Sequence, residues 1–444
     1  MRLAVKLKQG VLLFGDVLVL YAALGITLFI RYEAMTREVI EAHLSPFTII
    51  FALWLIAFYI AGLYDLKTLK NDIAFARKFF SLLTINTGIA VILFYFVQAF
   101  GITPRANLFF VVIIAGLAGY FWRTFYNNLL SAGAPSNRVL MVGYNKTVEE
   151  VVSHVQQNPQ LGYDIAFWMK EGLQDKELDH LHQIILANKI NLIAIPAHIK
   201  KNSKAARLIY KNLVLGVEVV DLATLYENIF QKIPIAELEE VWFLENLSKS
   251  HKVYELFKRP IEFLLAIILT IIISPLAMLI SALIAGTSRG PIVFRQKRNG
   301  EGEREFMIYK FRTMVADAEK HGPQWSGPGD NRITLIGKIL RKSHLDELPQ
   351  LLNIIKGELS FVGPRPERPE FVSQLKKDVP YFELRLLVRP GITGWAQINY
   401  KYGASIEDAY EKLQYDMYYL KNRSIPLDFF ILLRTIKYFF ASLK

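Results

Sequence analysis

A chain of 444 residues with 52% hydrophobic side chains, positive mean hydropathy and a formal charge of +12 is long enough for two or three domains. Surplus Lys and Arg on so apolar a chain point to membrane lipids as a partner, with basic flanks on one leaflet, and argue against nucleic acid. The absence of Cys removes disulfides, thiolate metal sites and cysteine nucleophiles, so the chemistry rests on carboxylates, His, Lys, Arg or hydroxyls.

The basic amino terminus MRLAVKLKQG precedes an apolar run over residues 11–30. That run is too long for a signal-peptide core and no small-residue cleavage site follows it, so it reads as a retained anchor. Further runs cover 47–64, 80–100 and 108–122. A spanning helix needs about 20 residues, so the last run must borrow from its flanks. Arg2, Lys6 and Lys8 precede the first run; Lys67, Lys70, Arg77 and Lys78 lie between the second and third; Arg123 follows the fourth. The alternate loops offset Arg31 and Arg37 with Glu33, Glu38 and Glu41, or hold only Arg105. Positive-inside bias therefore puts the amino terminus and the region after Trp122 in the cytoplasm.

In the middle of the chain, SNRVLMVGYNKTVEEVV reads as a buried strand, a turn at Gly143 and a helix. INLIAIPAH and GVEVVDL look like further strands with helices between them, which predicts a parallel, Rossmann-like sheet. The dinucleotide fingerprint is incomplete, because Tyr144, Asn145 and Lys146 follow Gly143 and the second glycine is missing. His180 and His182 diverge on a helix and read as surface residues.

Residues 261–285 form the most apolar run, interrupted by Ser274 and Pro275. Lys258 and Arg259 flank its start, and Arg289, Arg295, Lys297 and Arg298 follow its end, so a straight crossing leaves one basic cluster outside. Pro275 removes the helical bond to the Ile271 carbonyl, at about 3 kcal/mol, and the Ser274 hydroxyl can serve backbone groups freed there. A re-entrant helix with both ends on the cytoplasmic side accounts for both facts; a kinked fifth span is the alternative.

From Arg289 onward the chain changes character. IVFRQKRNGEGEREFMIYKFRTM alternates in its apolar positions and is dense in cations. GKILRKSHLDELPQLLNIIKGELSFVGPRPERPE follows, with Asp346 and Glu347 at a helix start, Pro349 in its first turn, and Leu351, Leu352 and Ile355 as an apolar face. One reading makes Asp346 an N-cap and Glu347 a dipole-favoured acid. The other gathers Lys310, Arg312, Arg341, Arg365 and Arg389 around a polyanion, with a carboxylate attacking phosphorus. A carboxylate and a phosphate charge about 4 Å apart repel by about 4 kcal/mol at an effective dielectric near 20, which arginines or Mg²⁺ must offset. Ser405 with Asp408 forms a capping-box variant, and IPLDFFILLRTIKYFF, with Arg434 and Lys437, reads as a helix in the interfacial plane or in the core.

KFRTM, LRKSHLDELPQLLNIIKGELSFVGPRP and RPGITGWAQINYKYG resemble the bacterial sugar transferase family, the monotopic polyprenyl-phosphate phosphoglycosyl transferases, in its long form. The resemblance implies a membrane α plus α/β protein. A four-helix transmembrane bundle covers 1–128, a Rossmann-like parallel α/β domain 129–246, and a small α/β catalytic domain anchored by a re-entrant helix 247–444. It implies transfer of a hexose-1-phosphate from a UDP-sugar to undecaprenyl phosphate, releasing UMP, at the cytoplasmic face of the bacterial inner membrane, in exopolysaccharide, O-antigen or capsule assembly. By match Asp346 is the nucleophile, Glu347 holds Mg²⁺ with it or assists the acceptor, and Ser274–Pro275 is the membrane break. Lys310, Arg312 and Arg365 bind phosphate, and Arg341 orients the dyad. The span and middle domains offer surfaces for a homodimer. The rival readings are a membrane-bound NAD-dependent nucleotide-sugar dehydratase, which the missing glycine opposes, and a non-catalytic assembly scaffold.

Overall fold

The computed structural model describes the chain apart from residues 1, 33–35, 66–70, 97–104, 133–136, 171–179, 198–202, 248–250, 316–317, 319–329, 401–402, 404 and 443–444. Glu33, Lys67, Lys70 and the end of the third apolar run, 97–100, lie outside the described residues. The chain divides into two compact units, Met1–Ile229 and Phe230–Lys444.

The first unit opens with four long helices, α1 (Arg2–Arg31), α2 (Arg37–Ile60), α3 (Ile73–Phe96) and α4 (Arg105–Ala132), each long and apolar enough to cross a membrane. The short fourth run does extend into its flanks at both ends. Leu20, Leu24, Phe47, Phe51, Trp54, Ala90 and Val111 make their shared core, while many Leu, Ile and Phe side chains face outward. An apolar helix with an apolar outer face needs an apolar solvent, so this is a membrane protein. Arg123, counted from sequence as a loop cation, lies inside α4 and is fully buried; it pairs with Asp16 of α1 and donates to Leu63 O at 2.9 Å. Tyr64 hydroxyl also donates to Asp16 Oδ2, at 2.7 Å. Arg123 therefore holds helices together and carries no loop-charge information.

A four-stranded parallel sheet follows, in the order β2-β1-β3-β4. Its strands are β1 (Asn137–Val142), β2 (Tyr163–Met169), β3 (Leu192–Ile195) and β4 (Glu218–Asp221), alternating with α5 (Lys146–Gln157), α6 (Leu181–Ala187), α7 (Ser203–Asn212) and α8 (Leu222–Phe230). β2 escaped the sequence reading although residues 165–169 are an unbroken apolar run; it forms one edge of the sheet, beside β1, and is partly exposed between its buried ends. Gly143 has φ of 89°, which favours glycine, and Asn145 caps α5 with its own side chain, accepting from Val148 N–H. His180 and His182 are exposed, as expected.

The second unit begins before the sequence boundary of 246/247. Ile233, Ile235 and Phe243, the last on α9 (Glu240–Leu247), join a core with Val362, Phe382, Trp395, Leu413, Met417 and Ile431. The 36-residue helix α10 (Lys252–Thr287) is followed by an antiparallel hairpin, β5 (Val293–Asn299) and β6 (Glu305–Phe311), in the stretch whose apolar positions alternate. Next come α11 (Leu335–Lys342), a 3-10 segment Leu345–Gln350, α12 (Leu351–Ile355) and β7 (Ser360–Val362). α13 (Pro369–Asp378), β8 (Gly391–Thr393, parallel to β7), α14 (Trp395–Asn399), α15 (Ile406–Asn422) and α16 (Ile425–Ser442) complete the unit. The Ser405–Asp408 capping box is present at the start of α15. α16 buries Ile431 in the core, as one of the two readings expects, and leaves Phe429 exposed.

α10 carries one continuous inward face. Ala266, Leu269 and Ile273 pack on Phe306, Ile308, Leu351 and Ile354, and Ala277, Ile280 and Ile284 pack on Phe311, Leu340 and Leu348. Their spacing of three and four residues is the helical repeat. Ile271, Ile272, Met278 and Leu279, on the other side, are exposed. Ser274 Oγ donates to Ile271 O at 2.8 Å, serving the carbonyl that Pro275 deprives of its usual partner. Lys258, counted as a flanking cation, is buried and pairs with Asp428 at 2.9 Å. The first turns of α10 are thus fastened inside the domain.

Candidate active site

The 3-10 segment presents the two adjacent acids. Its N-cap is His344, whose φ of 52° turns the chain sharply after α11, so Asp346 is not the cap. Pro349 and the tight 3-10 winding carry the chain from there into α12, whose Leu351 and Ile354 face the core; Leu352 points outward, unlike the sequence expectation.

Glu347 sits between two cations. Lys310 Nζ, near the end of β6, stands 2.8 Å from Glu347 Oε1, and Arg365 Nη2, in the loop after β7, reaches the same oxygen at 3.1 Å. Burial alone pushes this carboxyl up, but the two charges and their hydrogen bonds outweigh it and hold Glu347 well below the usual carboxylate range. Asp346 is also buried, and among the described residues it makes no hydrogen bond or ion pair. Burial raises its pKa; Lys310, His344 and Arg341 pull it down, and the Glu347 charge adds to the rise. Neighbouring acids with oppositely displaced pKa values are the pattern of a site in which one carboxylate reacts and the other is structural or electrostatic.

Arg341 approaches from α11, where its Nε donates to Thr313 Oγ1 at 2.8 Å. α11 is pressed against that segment, since a Cβ on Gly337 would lie 2.0 Å from Thr313 O. Two of the expected phosphate cations are placed elsewhere. Arg312 donates to Pro291 O at 2.5 Å and to Ser288 O and Oγ at 2.7 Å, fastening the end of α10 to the hairpin. Arg389 faces Glu255 and Glu262 of α10 at 3.4 and 3.6 Å. The structure therefore brings Lys310, Arg365 and Glu347 together with Asp346, keeps Arg341 within electrostatic reach, and turns Arg312 and Arg389 toward α10.

Two supporting residues escaped the sequence reading. Asn353 is fully buried; its Oδ1 accepts from Tyr309 N–H at 3.1 Å and its Nδ2 donates to Met307 O at 2.7 Å, fixing β6, and with it Lys310, to the helix that follows Glu347. An Asn within the apolar stretch LLNII is the signal that could have found it. Arg385 donates to Arg365 O at 2.9 Å and pairs with Asp416 at 3.0 Å, whose carboxyl burial pushes up to about 6 against the pull of Arg385.

Among the described residues no three His, Asp or Glu side chains cluster as a metal cage. Mg²⁺ does not need one, since it is ordinarily held by one or two carboxylates, substrate phosphates and water. The hard oxygens of Asp346 and Glu347 fit that habit, with the Asp346 carboxylate uncommitted.

The Bacterial sugar transferase family model matches residues 253–442, which contain every site residue described above. A UDP-N-acetylgalactosamine-undecaprenyl-phosphate N-acetylgalactosaminephosphotransferase of Aeromonas hydrophila is 44% identical over 185 residues, covering 42% of this chain and 44% of that one. A UDP-glucose:undecaprenyl-phosphate glucose-1-phosphate transferase of Xanthomonas campestris pv. campestris is 30% identical over 337 residues, 70% of this chain and 68% of that one. An enzyme of the same description from Klebsiella pneumoniae is 29% identical over 347 residues, 73% and 70% of the two chains. The chain thus aligns with less than half of the Aeromonas protein and with about two thirds of the other two. Extended similarity of this kind, centred on the unit that holds the paired acids, shows that the chain belongs to the bacterial sugar transferase family of polyprenyl-phosphate phosphoglycosyl transferases.

Proposed function

We propose that the protein transfers a hexose-1-phosphate from a UDP-sugar to undecaprenyl phosphate, releasing UMP, through a covalent intermediate on Asp346. The observation that carries this reading is the division of labour in the acid pair: Glu347 is held ionised by Lys310 and Arg365, while Asp346 beside it has no partner among the described residues. An Asp346 oxygen attacks the sugar-bearing phosphorus of the donor, the bond from that phosphorus to the bridging oxygen breaks, and UMP leaves with the bridging electrons. A phosphate oxygen of undecaprenyl phosphate then attacks the same phosphorus and frees the Asp346 carboxylate. Lys310 and Arg365 face the charge that builds on the phosphoryl oxygens, and Arg341 adds its field from the side. Asp346 and Glu347 would hold Mg²⁺, which when bound lowers the repulsion between carboxylate and diphosphate.

The same reading puts the site at the cytoplasmic face of the bacterial inner membrane, at the first membrane-bound step of a surface polysaccharide. The support is the packing of α10. Residues on both sides of Pro275 lie against the same charged domain, so a straight crossing would draw the domain's polar surface into hydrocarbon. A helix that enters and returns keeps the domain in water and gives the lipid-borne acceptor access to it. With donor alone the purified protein should release one equivalent of UMP from one of UDP-glucose, UDP-galactose or UDP-N-acetylgalactosamine and stop there, turning over repeatedly only when undecaprenyl phosphate is added; hydroxylamine should cleave the intermediate once and leave Asp346 as an inactive hydroxamate. Peptide mapping after donor alone should find the sugar-phosphate mass on Asp346; the same mass on another side chain would remove it as nucleophile.

A further inference from the structure

β7 is held along its whole length by two side chains of α10. Glu262 Oε1 accepts from Ser360 Oγ at 2.5 Å and from Phe361 N–H at 3.1 Å. One turn earlier, Lys258 Nζ donates to Val362 O at 2.9 Å. Lys258 is itself fixed by Asp428 at 2.9 Å and by the hydroxyls of Tyr254 and Tyr419 at 2.8 and 3.0 Å. Both side chains are buried, at 7% exposure each, where an unpaired charge would be strongly disfavoured.

The chain leaving β7 has little slack before it reaches the acid pair. A Cβ on Gly363 would lie 2.5 Å from Arg389 O, so the backbone there abuts the approach to β8. Arg365 follows, with its carbonyl held by Arg385 and its guanidinium on Glu347. A shift of β7 along α10 therefore moves Arg365 against Glu347, with no flexible joint between to absorb it.

We propose that Glu262 and Lys258 are positioning residues for Arg365, setting the depth of the phosphate-facing loop by the seating of the membrane helix. The proposal rests on the reading of Arg365 and Glu347 as parts of a phosphoryl-transfer site, and it adds that α10 is a working part of that site as well as an anchor. Neither Glu262 nor Lys258 touches the acid pair; their effect passes through β7 and, for Glu262, also through Arg389, which it faces at 3.6 Å and whose carbonyl abuts Gly363.

Hydrogen exchange and turnover in the full-length protein test it together. In Glu262→Ala, and in the milder Ser360→Ala, the amide of Gly363, which donates to Thr393 O, should exchange at least tenfold faster, with Glu262→Gln restoring most of the protection. UMP release should fall at least tenfold in Glu262→Ala through kcat, with the donor KM little changed. Combined with Arg365→Ala, the Glu262→Ala loss should nearly vanish, because its route to the chemistry is already gone. Unchanged exchange at Gly363 in Ser360→Ala and Glu262→Ala, or losses that multiply in the double variant, would overturn the proposal. Exchange decides the positioning role without reference to activity. A wild-type protein that released no UMP from any UDP-sugar would count against the functional reading instead.

Discussion

Lys310 Nζ stands 2.8 Å from Glu347 Oε1, yet the adjacent Asp346 draws no hydrogen bond from any described residue. The two acids are neighbours in sequence and opposites in environment. Asp346→Asn keeps the shape of the side chain and removes the attacking charge. Its UMP release should fall by about 10³-fold or more, with the protein still folded and still binding donor. Near-normal turnover in a protein verified by mass would eliminate Asp346 as the nucleophile.

The raised pKa of Asp346 has a sign that pH can read. The attacking form is the carboxylate, so kcat/KM should rise with pH through a limb lying above the ~3.9 of a free Asp. Glu347, held low by Lys310 and Arg365, contributes no limb in the same range. Glu347→Gln removes a like charge and releases Lys310, so in the residual activity the limb should move to lower pH. For stability the direction reverses. A carboxyl whose pKa rises on folding binds its proton more tightly when folded, so its contribution is present at acid pH and lost as pH rises. Asp346→Asn should therefore match the wild type in thermal midpoint at acid pH and exceed it increasingly toward neutrality.

The four apolar helices, the strand–turn–helix at Gly143, the alternating pattern of the stretch that forms β5 and β6, and the paired acids were all legible, because each is written in local periodicity or a short motif. What was not legible depends on distant partners. Arg312 and Arg389 look in sequence like phosphate ligands, but the carbonyls at the end of α10 claim the first, and Glu255 and Glu262 claim the second. Arg123 and Lys258 were read as topology signals, and each proves to be a buried member of an ion pair with a residue far away in sequence. Strand β2 was missed although its run over residues 165–169 is apolar, and the packing of residues 230–246 with the second unit is written only in tertiary contacts.

Without Arg123 and Lys258 the loop-charge count is weaker, so the side on which the second unit lies needs its own measurement. Lys297 on β5 is well exposed and the chain has no native Cys. In Lys297→Cys, an impermeant thiol reagent should label lysed cells and leave intact cells unlabelled. Adding Pro275→Ala should straighten α10 only if its packing on β6 and α11 is weaker than the restored helical bond. Because that face is extensive, labelling should stay confined to lysed cells. Labelling of Lys297→Cys in intact cells would put the acid pair outside and end the proposed use of a cytoplasmic UDP-sugar.

The Asp16–Arg123 pair makes the last prediction. Both side chains are buried among α1 and α4, and Tyr64 hydroxyl and Leu63 carbonyl add one hydrogen bond to each. Removing one partner leaves a charge with nowhere to go, which typically costs about 3–5 kcal/mol, whereas replacing both leaves a neutral gap. Arg123→Met and Asp16→Leu should each lower the thermal midpoint in detergent markedly, as read by loss of the monodisperse peak after heating. Asp16→Leu with Arg123→Met should recover most of that loss. If the double variant were as unstable as the two single losses combined, the pair would be acting through independent contacts rather than as one buried ionic clasp.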